Sequence, residues 1–313
     1  MNQRPLLIVG LPRSGTTWTA NILATAPRSR LVSEPDNEKL SAPAINAKRQ
    51  LGRFPALDRH DRAQDYSLLW KWAFAAAPQS SATRSAAKLV GHSTRDQQEE
   101  LVQGRPPRSL RLAGMLASRP PATPLPGRAI VKSVHAGLSV EWIAENFDID
   151  VLVLLRHPAN VLSSWIELDL PDRNRSLFER EEVQERYIRR WGLPVPRNDL
   201  VEAAGWQIGL LTAALEESSE RNPRWTVTTH EHLCTDPPAR FKELFGALDL
   251  EWGDDSGALI DSSNRAGSGF STEREVSGLA DKWRKQLSAQ QIRTLAEVLE
   301  PFPIRRWDLS DLA

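Results

Sequence analysis

The sequence predicts an α/β fold, a three-layer sandwich in which a central parallel sheet lies between two layers of helices, with a helical insertion. Three observations carry the prediction. Apolar runs at Leu6–Val9, Ala129–Val134 and Val151–Leu155 read as buried strands, and the last is apolar throughout, as a central strand covered on both faces must be. Helical text follows each run, and strands alternating with helices imply parallel pairing through right-handed crossovers. The chain has 313 residues, enough for one large domain with a substantial core.

The elements follow in order. After the first strand a helix is expected from about Thr16 to Ala26, with Trp18, Ile22 and Leu23 facing inward and Pro27 stopping it. Leu31–Ser33 is a short strand that ends at Glu34-Pro35. From Asp36 to Gly127 the text turns rich in Pro, Arg, Ala and Ser, with helical pieces at Tyr66–Ala77 and Asp96–Gln103 and Arg-Pro-rich loops at Gly104–Arg108 and Arg119–Gly127. This reads as an insertion (36–127) within a single domain (1–313) that helps to shape a substrate pocket. Trp70, Trp72 and Phe74 have the spacing of a helix core face or of a ring-binding surface. The core resumes with the Ala129–Val134 strand, a helix over Leu138–Phe147, the Val151–Leu155 strand and a helix from about Asn160 to Leu168. The highly charged Phe178–Trp191 reads as a solvated helix. Helices over Asp199–Arg221, Pro237–Leu248 and Ala289–Glu300 and a strand at Trp225–Thr229 complete the chain.

Composition excludes several functions. Forty basic and forty acidic residues cancel, whereas nucleic-acid or membrane-surface binding calls for a basic excess. No stretch has the apolar length of a membrane span, and Arg4-Pro5 lead straight into the first strand without a signal peptide, so a cytoplasmic location is expected. The single cysteine, Cys234, excludes an internal disulfide and a multi-cysteine metal site. Oligomeric state stays open, a homodimer among the options.

The chemistry concentrates at strand ends. Gly10 and Gly15 enclose four residues between a strand and a helix, the spacing of the phosphate-binding loop G-x-x-x-x-G-K-[ST], whose backbone N–H groups and helix N-terminus hold an anion. Thr16 stands where that loop has its lysine, and Arg13 puts a positive charge inside the turn. Such a loop holds a phosphate but handles a group other than a γ-phosphoryl. A second anion grip is offered by Arg156 and Ser164, an arginine fork at a strand end and a hydroxyl one to two helical turns later. Ligands of parallel sheets bind at the carboxyl ends of the strands, where both grips, Glu34 and Lys132–His135 fall.

These segments resemble the signatures of sulfotransferases that use 3′-phosphoadenosine 5′-phosphosulfate (PAPS). Pro12-Arg13-Ser14-Gly15-Thr16-Thr17-Trp18 matches P-[KR]-S-G-T-T-[WL], and Arg156 through Ser164 matches R-[DNH]-P-x-[DN]-x-x-x-S. Weaker marks are His230-Glu231-His232-Leu233-Cys234-Thr235-Asp236-Pro237 against Y-E-D-L-x-x-D-P, and Trp283-Arg284 with Leu287-Ser288 against W-[KR]-x-x-[LF]-[ST]. The resemblance implies a P-loop NTPase-like sulfotransferase fold of the P-R-S-G-T-T, bacterial type. It also implies transfer of a sulfuryl group from PAPS to an acceptor hydroxyl on a glycan, glycolipid or small metabolite, with no metal required. Arg13, Ser14, Gly15, Thr16, Thr17 and Trp18 would bind the 5′-phosphosulfate, Arg156 and Ser164 the 3′-phosphate, and His230 would stand where the family has a tyrosine beside the adenine. Arg13 would stabilise charge on the leaving phosphate, since a guanidinium does not readily give up its proton.

Candidates for the base are Glu34, at the spacing from the first signature where relatives resembling protein-tyrosine sulfotransferases carry a catalytic glutamate, and His135. Counted from Arg156, the family's K-T-H places its lysine at Lys132 and its histidine at Val134, so His135 is one residue off and turned to the other face of the strand. Asp36 and Glu38 have proximity alone. Lys132, a lysine inside an apolar strand, suits contact with an anion at the strand end. The family's R-K-G loop has no counterpart, and Arg265 and Arg274 are the candidates for its duty. Two other functions compete. An ATP-dependent P-loop kinase would bind ATP with Mg²⁺ more tightly than adenosine 3′,5′-bisphosphate (PAP), and a non-catalytic nucleotide-binding protein would bind without turnover.

Overall fold

The computed structural model describes residues 4–76, 96–97, 100, 105–117, 126–168, 176–194, 199–263 and 282–312. Five parallel strands form one sheet in the order β2-β3-β1-β4-β5, where β1 is Leu6–Gly10, β2 Ser29–Ser33, β3 Arg128–Ser133, β4 Asp150–Leu155 and β5 Thr226–Thr229. The three central strands are almost wholly buried, while β2 and β5 at the edges are half exposed and carry Ser, Thr and Arg.

Side chains alternate faces along each strand, and the sheet sorts them into two cores. Leu7, Val9, Val131, Val153 and Leu155 point into the larger core. Leu6, Ile8, Ile130, Leu152 and Leu154 point into the smaller one. The smaller layer contains α1 (Thr16–Leu23), whose Trp18, Ala20, Ile22 and Leu23 supply the inward stripe. The larger layer takes α2 (Ala42–Ala47), α3 (Gln64–Phe74), α5 (Val140–Asn146), α6 (Pro158–Glu167) and the 22-residue α7 (Leu200–Arg221). Asp199 caps α7 by accepting from the N–H groups of Val201 and Glu202. Helix α4 (Arg108–Ala117) packs on α2, where Asn46 Nδ2 donates to the Arg111 carbonyl at 3.1 Å. After β5 come α8 (His230–Thr235), α9 (Pro237–Ala247), α10 (Asp254–Ser263), α11 (Lys282–Gln286) and α12 (Ala289–Leu299).

One segment differs from the sequence reading. Phe178–Trp191 is not a solvated helix: short helical pieces flank a π-helical turn at Gln184–Ile188, and Phe178, Val183, Tyr187 and Ile188 are buried. Charge density hid an apolar stripe, and Phe178 packs edge-on against Trp206 at 4.2 Å. Helices α2 and α4 fall within the insertion, outside the helical pieces expected at Tyr66–Ala77 and Asp96–Gln103. Trp70 and Phe74 face the core, stacked at 5.5 Å, with Trp70 fully buried. Arg265 and Arg274 lie outside the described residues, as do most of Asp96–Gln103 and Arg119–Gly127. Among the described residues no helix is long and apolar enough to cross a membrane.

Candidate active site

The sheet changes winding direction around β1, which is flanked by β3 and β4, and the carboxyl ends of these strands open into a cavity of about 500 Å³. The loop from β1 to α1 forms its base. Gly10 is required there because a Cβ would run into the Leu154 carbonyl and Ser14 Oγ. Gly15, the N-cap of α1, has φ +91°, and its missing side chain admits His230 Nδ1 against the loop. The first turn of α1 contains no acidic residue, so its N–H groups and the helix dipole present an undiluted positive end. Ser14 Oγ is buried without a hydrogen-bond partner among the described residues. A tight glycine turn, a helix N-terminus and an orphaned buried hydroxyl together fit an anion.

The two signature segments meet directly. Arg13 Nε donates to Ser164 Oγ on α6 at 3.0 Å, and Arg156 Nη1 donates to the Arg13 carbonyl at 2.7 Å. Trp165 Nε1 donates to the Pro12 carbonyl at 3.0 Å, which ties α6 to the loop a second time. Glu231, at the start of α8, accepts from His157 N–H and Asn160 Nδ2, fixing α8 to the Arg156 turn. Trp283 of α11 stacks on His157 with planes 6° apart, and Ser163 Oγ donates to Gln286. The helix that carries the weaker C-terminal mark therefore borders the same cavity, through Lys282 and Gln286.

Lys132 is 2% exposed at the end of β3. Its face of the strand is that of Ile130, toward α1, and its ammonium donates to Thr17 Oγ1 at 3.0 Å and forms an ion pair with Glu34 Oε1. Glu34 follows β2, its N–H donates to the Lys132 carbonyl at 2.7 Å, and Asn37 Nδ2 donates to its other carboxylate oxygen. Arg13 and Glu34 both have left-handed backbones, φ +71° and +49°, although neither is glycine. Such conformations cost of order 1 kcal/mol each and persist where the surroundings impose them, commonly at functional sites.

His135 is turned toward Phe54, as its one-residue displacement demands, yet it still lines the cavity. It is buried edge-on against Phe54 at 5.3 Å, accepts from Arg53 Nε at Nε2 (3.0 Å), and has Lys48 Nζ 3.4 Å from Nδ1. Burial, with Lys48 and Arg53 alongside, holds its pKa well below the usual range, so the ring is neutral. Glu38 is ion-paired to Lys48 at 2.7 Å, and Asp36 accepts both its bonds from Ser133 Oγ, with burial raising its carboxyl to about 6. Neither Asp36 nor Glu38 lines the cavity. His230 is also neutral, its pKa driven down by burial and by Arg156, and its ring sits 5.7 Å from Trp18. Sequence reasoning overlooked Arg53, Asn37 and Lys39, which all line the cavity; each lies in insertion text without a motif.

The arrangement provides a phosphate cradle, two arginines, and a lysine–glutamate pair beside a space large enough for a nucleotide and part of a second substrate. Among solved structures the chain is similar to the sulfotransferase domain from the curacin biosynthetic pathway (15% identity, covering 99% of this chain and 96% of that one, TM-score 0.48). It is also similar to sulfotransferase STF9 from Mycobacterium avium (17% identity, 97% and 78%, TM-score 0.40) and to mouse sulfotransferase SULT7A1 complexed with PAP (12% identity, 99% and 89%, TM-score 0.44). No curated protein sequence matches it. A sulfotransferase family model matches residues 5–254, which span all five strands and both signature segments: the chain belongs to the sulfotransferase family.

Proposed function

We propose that the enzyme transfers the sulfuryl group of PAPS to a hydroxyl on a glycan, glycolipid or small metabolite. The observation that carries this reading is the ion pair of Lys132 with Glu34, joined to Thr17 of the phosphate loop at the mouth of the cavity. It puts a cation and a carboxylate side by side next to the phosphate loop, the pairing that a leaving phosphate and an incoming hydroxyl would require.

The residues then divide the work. The loop from Arg13 to Trp18 holds the 5′ end of the donor, and Arg156 and Ser164 hold its 3′-phosphate through charge-assisted hydrogen bonds. His230, neutral and in contact with the loop, borders the nucleoside. Glu34 accepts the proton of the acceptor hydroxyl as its oxygen forms a bond to sulfur. The bond from sulfur to the 5′-phosphate oxygen breaks in line, its electron pair leaves with PAP, and Arg13 and Lys132 stabilise the charge gathering there. His135 keeps its Nε2 lone pair in the Arg53 N–H, which favours Glu34 over His135 as the base. Residues 36–127, within one domain, shape the acceptor side.

The test is binding followed by turnover. Calorimetry with PAP and with AMP isolates the 3′-phosphate, and PAP is expected to bind about 30-fold or more tightly, the worth of one or two charge-assisted bonds. Equal affinities overturn the donor assignment. Mass-spectrometric screening of hydroxyl compounds with PAPS then identifies the acceptor. Product formed with ATP and Mg²⁺ instead would establish a kinase.

A further inference from the structure

We infer that Arg53, oriented by His135, is an anion-recognition site for the acceptor, so that the substrate carries a carboxylate or phosphate besides the hydroxyl it presents for sulfation. The inference rests on the donor assignment above and names the acceptor's chemistry.

Position comes first. The strand order puts the donor grips on β1 and β4, and Arg53 reaches the cavity from the opposite side, above the end of β3. The cations facing the donor's phosphates are Arg13 and Arg156. Arg53 is a further one, and it lines the same cavity as Lys39, Leu40 and Val134.

Charge points the same way. Lys48 is committed to Glu38 Oε2 and the Asp36 carbonyl, and Lys132 to Glu34 and Thr17. Among the described residues no carboxylate lies within ion-pair distance of Arg53, and its Nε bond to His135 is its one hydrogen bond. A guanidinium has five N–H donors in a planar fork. With Nε engaged, both terminal amino groups remain for a ligand, and they match the two oxygens of a carboxylate or phosphate.

Rigidity comes third. A neutral imidazole that accepts at Nε2 carries its proton on Nδ1. That edge faces Lys48 Nζ at 3.4 Å and Glu38 Oε2 at 3.9 Å, and Phe54 abuts the ring. His135 is therefore a fixed acceptor that sets the plane of the guanidinium, a positioning residue and not a proton carrier.

The experiment uses purified full-length protein, PAPS and hydroxyl compounds built on several aliphatic, phenolic and sugar scaffolds. Each scaffold is offered in three forms: carboxylate, phosphate monoester and neutral methyl ester or parent alcohol. Sulfated products are quantified by mass spectrometry. For the wild type, kcat/KM on an anionic form is expected to exceed its neutral counterpart about 30-fold, mostly through KM, as for a bidentate charged contact. The carboxylate and phosphate arms show which anion is read. Arg53→Gln should reduce the ratio to about 3-fold and Arg53→Lys should leave it in between, with thermal melting and PAP affinity close to wild type in both. Preference for neutral forms, no product from any anionic form, or an undiminished ratio in Arg53→Gln overturns the inference. PAP calorimetry on the same proteins separates that outcome from a failure of the donor assignment.

Discussion

Glu34→Gln tests the centre of the mechanism. The amide keeps the size of the side chain and can still hydrogen-bond to Asn37, but it removes both the base and the countercharge of Lys132. Loss of a positioned base is expected to lower kcat by about 10²–10⁴. A second effect follows from burial. Lys132 is 2% exposed, and stranding one charge of a buried pair costs about 3–5 kcal/mol. Glu34 lines the cavity with 14% of its side chain exposed, and Thr17 Oγ1 still accepts from the ammonium, so about 2–3 kcal/mol is the reasonable share here. For a chain of 313 residues that lowers Tm by about 3–5 °C. The assays are initial rates with PAPS and the first acceptor found by screening, differential scanning calorimetry, and PAP titration. PAP affinity should change little, because the donor's phosphates are assigned to other residues. The double variant Glu34→Gln/Lys132→Met should recover part of the stability but none of the rate. A single variant within about threefold of wild-type kcat would remove Glu34 from the base role and the reasoning with it.

Further outcomes follow from other contacts. Gly15→Ala forces a side chain into a φ of +91° and against His230, so it should cost about 1–2 kcal/mol from the backbone alone and weaken PAP at least tenfold by calorimetry. Ser164→Ala removes the acceptor of the Arg13 Nε bond; PAP affinity should fall about tenfold while AMP affinity stays within threefold, as equilibrium titration would show. Glu141 opposes burial with bonds from Arg221, Arg59 and Asn222, which hold its carboxyl at about 2. Its folded value lies below its unfolded one, so its contribution is present above about pH 4.5 and is lost as pH falls through 2. Glu141→Gln should therefore cost about 1–2 kcal/mol in urea unfolding at pH 7, allowing for solvent screening, with the deficit shrinking toward pH 2.

The sheet and the meeting of the two signature segments were legible because each rests on local chemistry. An all-apolar strand such as Val151–Leu155 announces burial on two faces, and a glycine turn between strand and helix announces an anion. For Lys132 only the need for a partner was legible, since a lysine in an apolar strand requires one. Its pairing with Glu34 depends on β2 lying beside β3, a contact between residues 98 positions apart. Arg53 was not legible at all: nothing around it in the sequence distinguishes it from the other arginines of the insertion, and its meaning comes from His135 across 82 residues. The Phe178–Trp191 segment failed for the opposite reason. Its charges dominate the composition, yet the four aromatic and aliphatic side chains that pack inward decide its conformation.

The stacking of Trp283 on His157, with Gln286 on Ser163, has a practical consequence. Shortening the polypeptide to the span of the family match, which stops at residue 254, would keep every strand but strip one side from the candidate-site cavity. Such a trimmed protein would retain its sheet while losing grip on the adenosine bisphosphate. The working unit is thus longer than the segment by which its kinship is detected.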